Sequence, residues 1–292
     1  MSRIVYVNGD YVPEDQARVS MFDRGYLFGD GAYEVAPVVG GRLMDRDRML
    51  ERLEGSLAAL QIAWPMEREE LVATLRELVA RNGLDEGMVY MQITRGVAER
   101  DFAFPPRALP VMTAFTKALS IIDNPHAETG VSAVFVEDIR WKLRNVKSIA
   151  LLAQVLAKQQ AVERRAFEGW MVDDAGFVTE GTSSSAHIVR DGALVTRPLE
   201  AESGPILPGI RRSLIIELAE AAGIEVVQRP FTPREAEEAD EALLSSATAG
   251  VLPVVELEGR PVGSGRPGPV AQRLRALYLE HLEKQVKAPD QT

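Results

Sequence analysis

The chain contains no cysteine, so disulfides, thiolate metal sites and thiol nucleophiles are excluded from the outset. Histidine is scarce: His126, His187 and His281 are the only three, and they lack the spacing that brings imidazoles onto one zinc ion. Long apolar runs are missing too. The opening "MSRIVYVNGDYVPEDQARVS" carries charge early, which predicts neither a secretory leader nor a membrane span and gives a cytoplasmic expectation. No basic tract interrupts a net charge of −10. That balance argues against a general nucleic-acid surface and admits a small anionic substrate only where arginines are placed locally. A strand-borne glycine fingerprint for dinucleotides, a phosphate-loop lysine and a serine elbow are all absent.

What is present is ordinary globular material, 292 residues with 46% hydrophobic and 26% charged side chains, enough for one large domain or two moderate ones. "RIVYVNGDYVP" reads as a hairpin turning at Asn8-Gly9-Asp10. A strand near residues 32–39 and a Gly40-Gly41 turn follow, then amphipathic helices over 45–60 and 67–80 and strands in "MVYMQITRG" and "PVMTAFTKAL". These elements predict a small N-terminal α/β domain over residues 1–119, with residues 120–124 as linker. The larger C-terminal domain, residues 125–286, is expected to carry Lys147, strands in "GWMVDDAGFVTEGTSSSAHIVRDGALVTRP", a helix in "LPGIRRSLIIELAEAAG", a short strand in "IEVVQRPF", an acidic helix starting after Thr232-Pro233, a further strand pair and a terminal helix.

The chain is organised around residues 131–165. Val131, Ala133 and Phe135 alternate against Ser132, Glu137 and Asp138 as in a half-buried strand, and from about Ser148 the apolar residues recur at helical spacing through Ala161. Lys147 therefore falls at a strand-to-helix junction with Ser148 as the expected cap. Helix dipoles there would favour the neutral amine that attacks a carbonyl. Glu180, at a strand end before Gly181 and a run of hydroxyl residues, could hold a proton on a ring nitrogen through a charge-assisted bond. Ile210 opens a helix whose mouth suits a phosphate. Arg52, between Leu50 and Leu53, either turns its guanidinium inward or snorkels. Arg100, in a proline-bounded loop with two phenylalanines, either clamps a carboxylate or supports the loop.

The motifs "DRGYLFGDGAYE" (23–34), "FVEDIRWKLRNVKS" (135–148), "TEGTSSS" (179–185) and "LPGIRR" (207–212), in this order, resemble the fold-type IV pyridoxal-phosphate enzymes. These are the branched-chain and D-amino-acid aminotransferases and aminodeoxychorismate lyase. "VEDIRW" ahead of the lysine is most similar to the D-amino-acid aminotransferases. The resemblance implies an α/β fold with a small N-terminal sandwich and a C-terminal pseudo-barrel, and a homodimer with a shared site. It also implies pyridoxal 5'-phosphate, held as an aldimine by Lys147, with ping-pong transfer from a D-amino acid to a 2-oxo acid. Branched-chain L-amino acid or (R)-amine transamination is the alternative, and a lyase the third reading.

Residue by residue, the resemblance implies Glu180 at the pyridine nitrogen and Arg52, Ile210, Arg211 and Thr248 at the phosphate. Tyr33 lines the substrate side, and Arg100 reaches the substrate carboxylate of the neighbouring subunit. Three positions depart from the family pattern: Met49 and Phe102 stand where relatives carry histidine, and Arg211 where they carry a hydroxyl residue.

Overall fold

Asn8 and Gly9 both adopt positive φ, the backbone a two-residue turn needs to match the twist of the strands it joins. β1 (Ile4–Val7) and β2 (Asp10–Pro13) accordingly pair antiparallel, Val7 opposite Asp10. The computed structural model describes residues 2–202 and 204–289, in two units. One comprises Met1–Ser120 and Val146–Leu151; the other comprises Ile121–Asn145 and Leu152–Thr292.

The first unit continues with α1 (Arg24–Phe28), β3 (Gly31–Val39), β4 (Arg42–Leu43), α2 (Arg46–Leu60), α3 (Arg68–Arg81), β5 (Gly87–Thr94) and β6 (Val111–Ala118). Its strands form a six-stranded sheet in the order β2-β1-β6-β5-β3-β4, antiparallel throughout. Leu50, Leu53 and Leu57 of α2 and Leu71, Leu75 and Leu78 of α3 are buried, the three- and four-residue spacing of a helix resting one stripe on a sheet. Asp23 caps α1 by accepting from the Gly25 N–H at 2.8 Å.

The second unit contains α4 (His126–Thr129), β7 (Val131–Glu137), α5 (Leu152–Glu163), β8 (Glu168–Val172), β9 (Val178–Gly181), β10 (Ser185–Arg190), β11 (Ala193–Thr196), α6 (Ile210–Ala221) and β12 (Val226–Gln228). It ends with α7 (Pro233–Glu237), β13 (Glu241–Ser246), β14 (Gly250–Leu257), β15 (Arg260–Pro261) and α8 (Pro269–Lys287). A mixed nine-stranded sheet runs β12-β11-β10-β13-β14-β7-β8-β9, with β15 on β14, and curves as a half-barrel. β7 and β8 are parallel neighbours, joined through α5 as parallel strands require. α5 lies close on them because Ala157 and Ala161 are small, packing with Val134, Val136 and Met171. Trp170 and Phe231 centre the main core with Ile188, Leu244 and Leu252. Gly250 has φ +64°, and a Cβ there would stand 2.5 Å from Tyr278 Cε1, so only glycine admits the buried tyrosine of α8.

One element differs from the sequence reading. The helix expected from Ser148 begins at Leu152, and residues 146–151 run along β3 instead. Lys147 thus belongs with the first unit and stands ahead of α5 rather than at its mouth, so the dipole argument for its amine does not hold. Main-chain bonds to β3 take the partners a helical turn would have used.

His187 is buried in β10, with Nε2 2.9 Å from Ser245 Oγ on β13. Burial, aided by the Arg212 charge, depresses its pKa to about 3. The unfolded chain therefore takes up a proton near pH 6.5 that the folded chain refuses, and stability falls as pH drops below that value. Between pH 7 and pH 5 the parent is expected to lose about 2 kcal/mol more unfolding free energy than His187→Gln in denaturant titrations. Equal losses in the two proteins would contradict this.

Candidate active site

Lys147 is held by its own main chain. The Lys147 carbonyl accepts from the Tyr33 N–H at 3.0 Å, the Ile149 N–H donates to the Gly31 carbonyl at 3.0 Å, and Ser148 bridges Ala32. The Lys147 N–H donates to Ser56 Oγ at 3.1 Å. A Cβ on Gly31 would meet the Ile93 carbonyl at 2.6 Å and Ile149 Cδ1 at 2.9 Å. Glycine is thus the residue that lets this segment lie on β3. The outcome is a lysine Nζ 4.2 Å from the centroid of the Tyr33 ring, at cation–π distance.

Tyr33 is itself stacked. Its ring lies 5.5 Å from Tyr90, which lies 4.9 Å from Phe115, an aromatic column across β3, β5 and β6. Burial, with the neighbouring Tyr33, pushes the Tyr90 phenol up to about 12. One residue along β3, Glu34 is fully buried and takes Arg52 in a two-pronged pair, Nε to Oε1 at 2.8 Å and Nη2 to Oε2 at 2.7 Å. Arg52 therefore turns inward. Arg52 and Ser56, one turn apart on α2, thus serve β3 and the Lys147 segment from one helix face.

In the second unit Glu180 is buried at the end of β9. It accepts from Arg140 Nη1 at 2.6 Å and, at 3.3 Å, from the N–H of Leu207, the first residue of "LPGIRR". Arg140 also makes a two-pronged pair with Asp138, at 2.9 and 2.8 Å, and Thr179 Oγ1 donates to the same carboxylate at 2.7 Å. Burial pushes the Glu180 carboxyl up against the opposing pull of Arg140. Asp138 is driven the other way, to about 2, because the Arg140 and Thr179 bonds outweigh its burial. Replacing one member of such a buried set leaves an uncompensated charge, at a cost of about 3–5 kcal/mol.

The expected site residues fall into two groups. Tyr33, Arg52, Lys147 and Arg100 lie in the first unit; Glu180, Ile210, Arg211 and Thr248 lie in the second. Ile210 begins α6 behind the N-cap Gly209. The Arg211 guanidinium lies 5.3 Å from the Tyr278 ring of α8. Thr248 occupies the turn between β13 and β14. Arg100 is exposed over the rings of Phe28 and Phe102, at 5.4 and 5.5 Å.

Sequence reasoning missed three buried acids and one arginine: Glu34, Asp138, Glu168 and Arg140. Glu34 and the 138–140 pair sat inside the motifs already singled out. Glu168 carried no signal, yet it gathers the hydroxyls after Glu180: Thr182, Ser183 at 3.1 Å and Ser184 at 2.9 Å. The run of hydroxyl residues noted in the sequence is thus tied to an internal carboxylate. No group of acidic and imidazole side chains able to hold a metal occurs among the described residues.

Comparison with known proteins finds relatives along nearly the whole chain. The chain is 40% identical over 283 residues to a D-alanine aminotransferase of Staphylococcus aureus (strain MSSA476), covering 96% of this chain and 98% of that one. It is 37% identical over 273 residues to the D-alanine aminotransferase of Bacillus licheniformis, covering 93% and 94%. Among solved structures, a T.th. branched-chain amino acid aminotransferase complexed with N-(5'-phosphopyridoxyl)-L-glutamate superposes with a TM-score of 0.87 at 25% identity, covering 96% of this chain and 94% of that one. The family described as Amino-transferase class IV matches residues 31–257, and the chain therefore belongs to the class IV aminotransferases, the pyridoxal-phosphate-dependent transaminases of fold type IV.

Proposed function

We propose that the protein transfers the amino group of a D-amino acid to a 2-oxo acid in two half-reactions that share pyridoxal 5'-phosphate. The observation that carries the chemistry is the Lys147 amine fixed over the Tyr33 ring. The D-preference is supported by the D-alanine aminotransferases to which the chain is similar along nearly its whole length.

The donor set fits the cofactor. An amine suits an aldehyde, a buried carboxylate suits a ring nitrogen, and an arginine fork with a helix mouth suits a phosphate. When bound, the cofactor supplies a carbonyl for the amine and a protonated ring that accepts the electron pair left at the substrate alpha carbon. In this reading Lys147 attaches the cofactor covalently. The same amine, when free, would be the base that takes and returns the proton at the substrate alpha carbon. Glu180 keeps a proton on the ring nitrogen, with Arg140 and the Leu207 N–H holding its carboxylate in one orientation. Arg52, aimed by Glu34, binds the phosphate together with the main chain of Ile210 and Arg211 and the Thr248 hydroxyl. Tyr33 lines the substrate side, and Arg100 meets the substrate carboxylate.

The reading also includes a homodimer, with Arg100 serving the neighbouring copy. α5 supports it. Leu152 is 71% exposed, Val155 58% and Val162 54%, an apolar stripe at helical spacing of the sort an interface covers. No helix among the described residues is long and apolar enough to cross a membrane, and we place the enzyme in the cytoplasm. A branched-chain L-amino acid transaminase is the second reading, favoured by the superposition on the branched-chain enzyme.

Substrate challenge separates the two. With cofactor bound, D-alanine is expected to bleach the absorbance near 400 nm faster than L-leucine. (R)-1-Phenylethylamine should react measurably, because Phe102 leaves an apolar group undisturbed where relatives carry imidazole. Faster reaction with L-leucine would overturn the D-amino-acid reading. Glu180→Gln is expected to retain the bound chromophore and lose about 100-fold or more in kcat, about 3 kcal/mol of transition-state stabilisation. A kcat within threefold of the parent would remove Glu180 from the ring nitrogen.

A further inference from the structure

The loop 97–110, which carries Arg100 and Phe102, is irregular along its length. Its ends meet where Gly96 takes φ +103°, since a Cβ there would lie 1.9 Å from the Leu109 carbonyl. The Ala98 N–H donates to the Phe22 carbonyl at 3.2 Å, and farther along one buried side chain holds the carbonyls around Phe102. Arg24 Nη1 donates to the Asp101 carbonyl at 2.6 Å and to the Ala103 carbonyl at 3.3 Å, and Nη2 approaches the Phe102 carbonyl at 3.5 Å.

The other edge of the same guanidinium is fixed. Arg24 Nε donates to Asp30 Oδ2 at 2.8 Å. Asp30 also accepts from Arg95 at 2.8 and 3.0 Å, and Arg95 in turn donates to the Leu60 and Gln61 carbonyls that end α2. Two guanidinium groups therefore share one carboxylate, and main-chain carbonyls take further donors from each. The Phe28 ring completes the arrangement, standing 4.8 Å from the Arg24 guanidinium, 5.4 Å from that of Arg100 and 5.6 Å from the Phe102 ring.

We propose that Arg24 is a positioning residue for substrate recognition: by fixing the carbonyls on either side of Phe102 and the Phe28 ring, it sets where the Arg100 guanidinium stands. The inference rests on the reading of Arg100 as the contact to the substrate carboxylate. A planar fork can serve consecutive carbonyls while paired to Asp30, whereas a lysine ammonium is a point donor on a flexible stem. The loop geometry thus depends on arginine at position 24 and not on positive charge alone.

The test compares two amines that differ only in the group Arg100 would contact, D-alanine and D-alaninol. Each is mixed in excess with the holoenzyme, and the absorbance change near 400 nm gives a saturating rate and an apparent dissociation constant. Arg24→Gln is expected to weaken apparent D-alanine binding about tenfold, with the saturating rate within about twofold and D-alaninol unaffected. Arg24→Lys keeps the charge beside Asp30, so it preserves the fold, and should show the same selective loss at about threefold. Arg100→Leu should show it most strongly. Selective loss in Arg100→Leu with none in either Arg24 variant overturns this inference alone. Equal effects of Arg100→Leu on both amines overturn the carboxylate reading and this inference with it.

Discussion

The main-chain bonds that lay Val146–Leu151 on β3 are the constraint on which the rest of the first unit's chemistry depends. They set the Lys147 main chain beside Tyr33, and the Nζ adds only its contact with that ring. Backbone bonds suit this task because they tolerate the departure of the amine. A lysine that must be attached in one step and free in the next cannot be fixed through its Nζ. The Ser56 hydroxyl and the missing side chain of Gly31 reinforce the same placement from either side.

The chain, net acidic by ten charges, sets several of its arginines in pairs with buried or half-buried carboxylates. Arg52 is aimed by Glu34, Arg140 is shared by Asp138 and Glu180, and Arg24 and Arg95 meet on Asp30. For Asp30, as for Asp138, hydrogen bonds from arginine overcome burial and hold the carboxyl below its ordinary pKa. The Arg52–Glu34, Arg140–Asp138 and Arg95–Asp30 pairs are each made at two points, which fixes direction as well as charge. Direction is what recognition of planar anions requires, so these pairs contribute more to geometry than to stability.

Much of this was legible in the sequence. The Asn8-Gly9 turn, the α2 and α3 stripes, the Gly209 mouth of α6 and the Thr232-Pro233 start of α7 follow from local rules. The structure meets each of them, the last with a full capping box between Thr232 and Glu235. Ser148 failed as a cap because β3 competes for its main chain, and no local pattern records a strand more than a hundred residues away. Asp138 read as a solvent-facing member of an alternating strand; it is buried because β9 brings Thr179 and Glu180 alongside, which is a tertiary fact. Glu168 was invisible for the same reason. Arg52 lay at the limit: its helix position allowed an inward turn, and only the register of β3 supplied Glu34 to meet it.

The central claim is that the segment laid on β3 presents the lysine that carries the cofactor. Borohydride reduction of the holoenzyme followed by peptide mapping by mass spectrometry tests it directly. The account predicts a phosphopyridoxyl mass on Lys147. The same mass on Lys117, Lys142 or Lys158, with Lys147 unmodified, would contradict it.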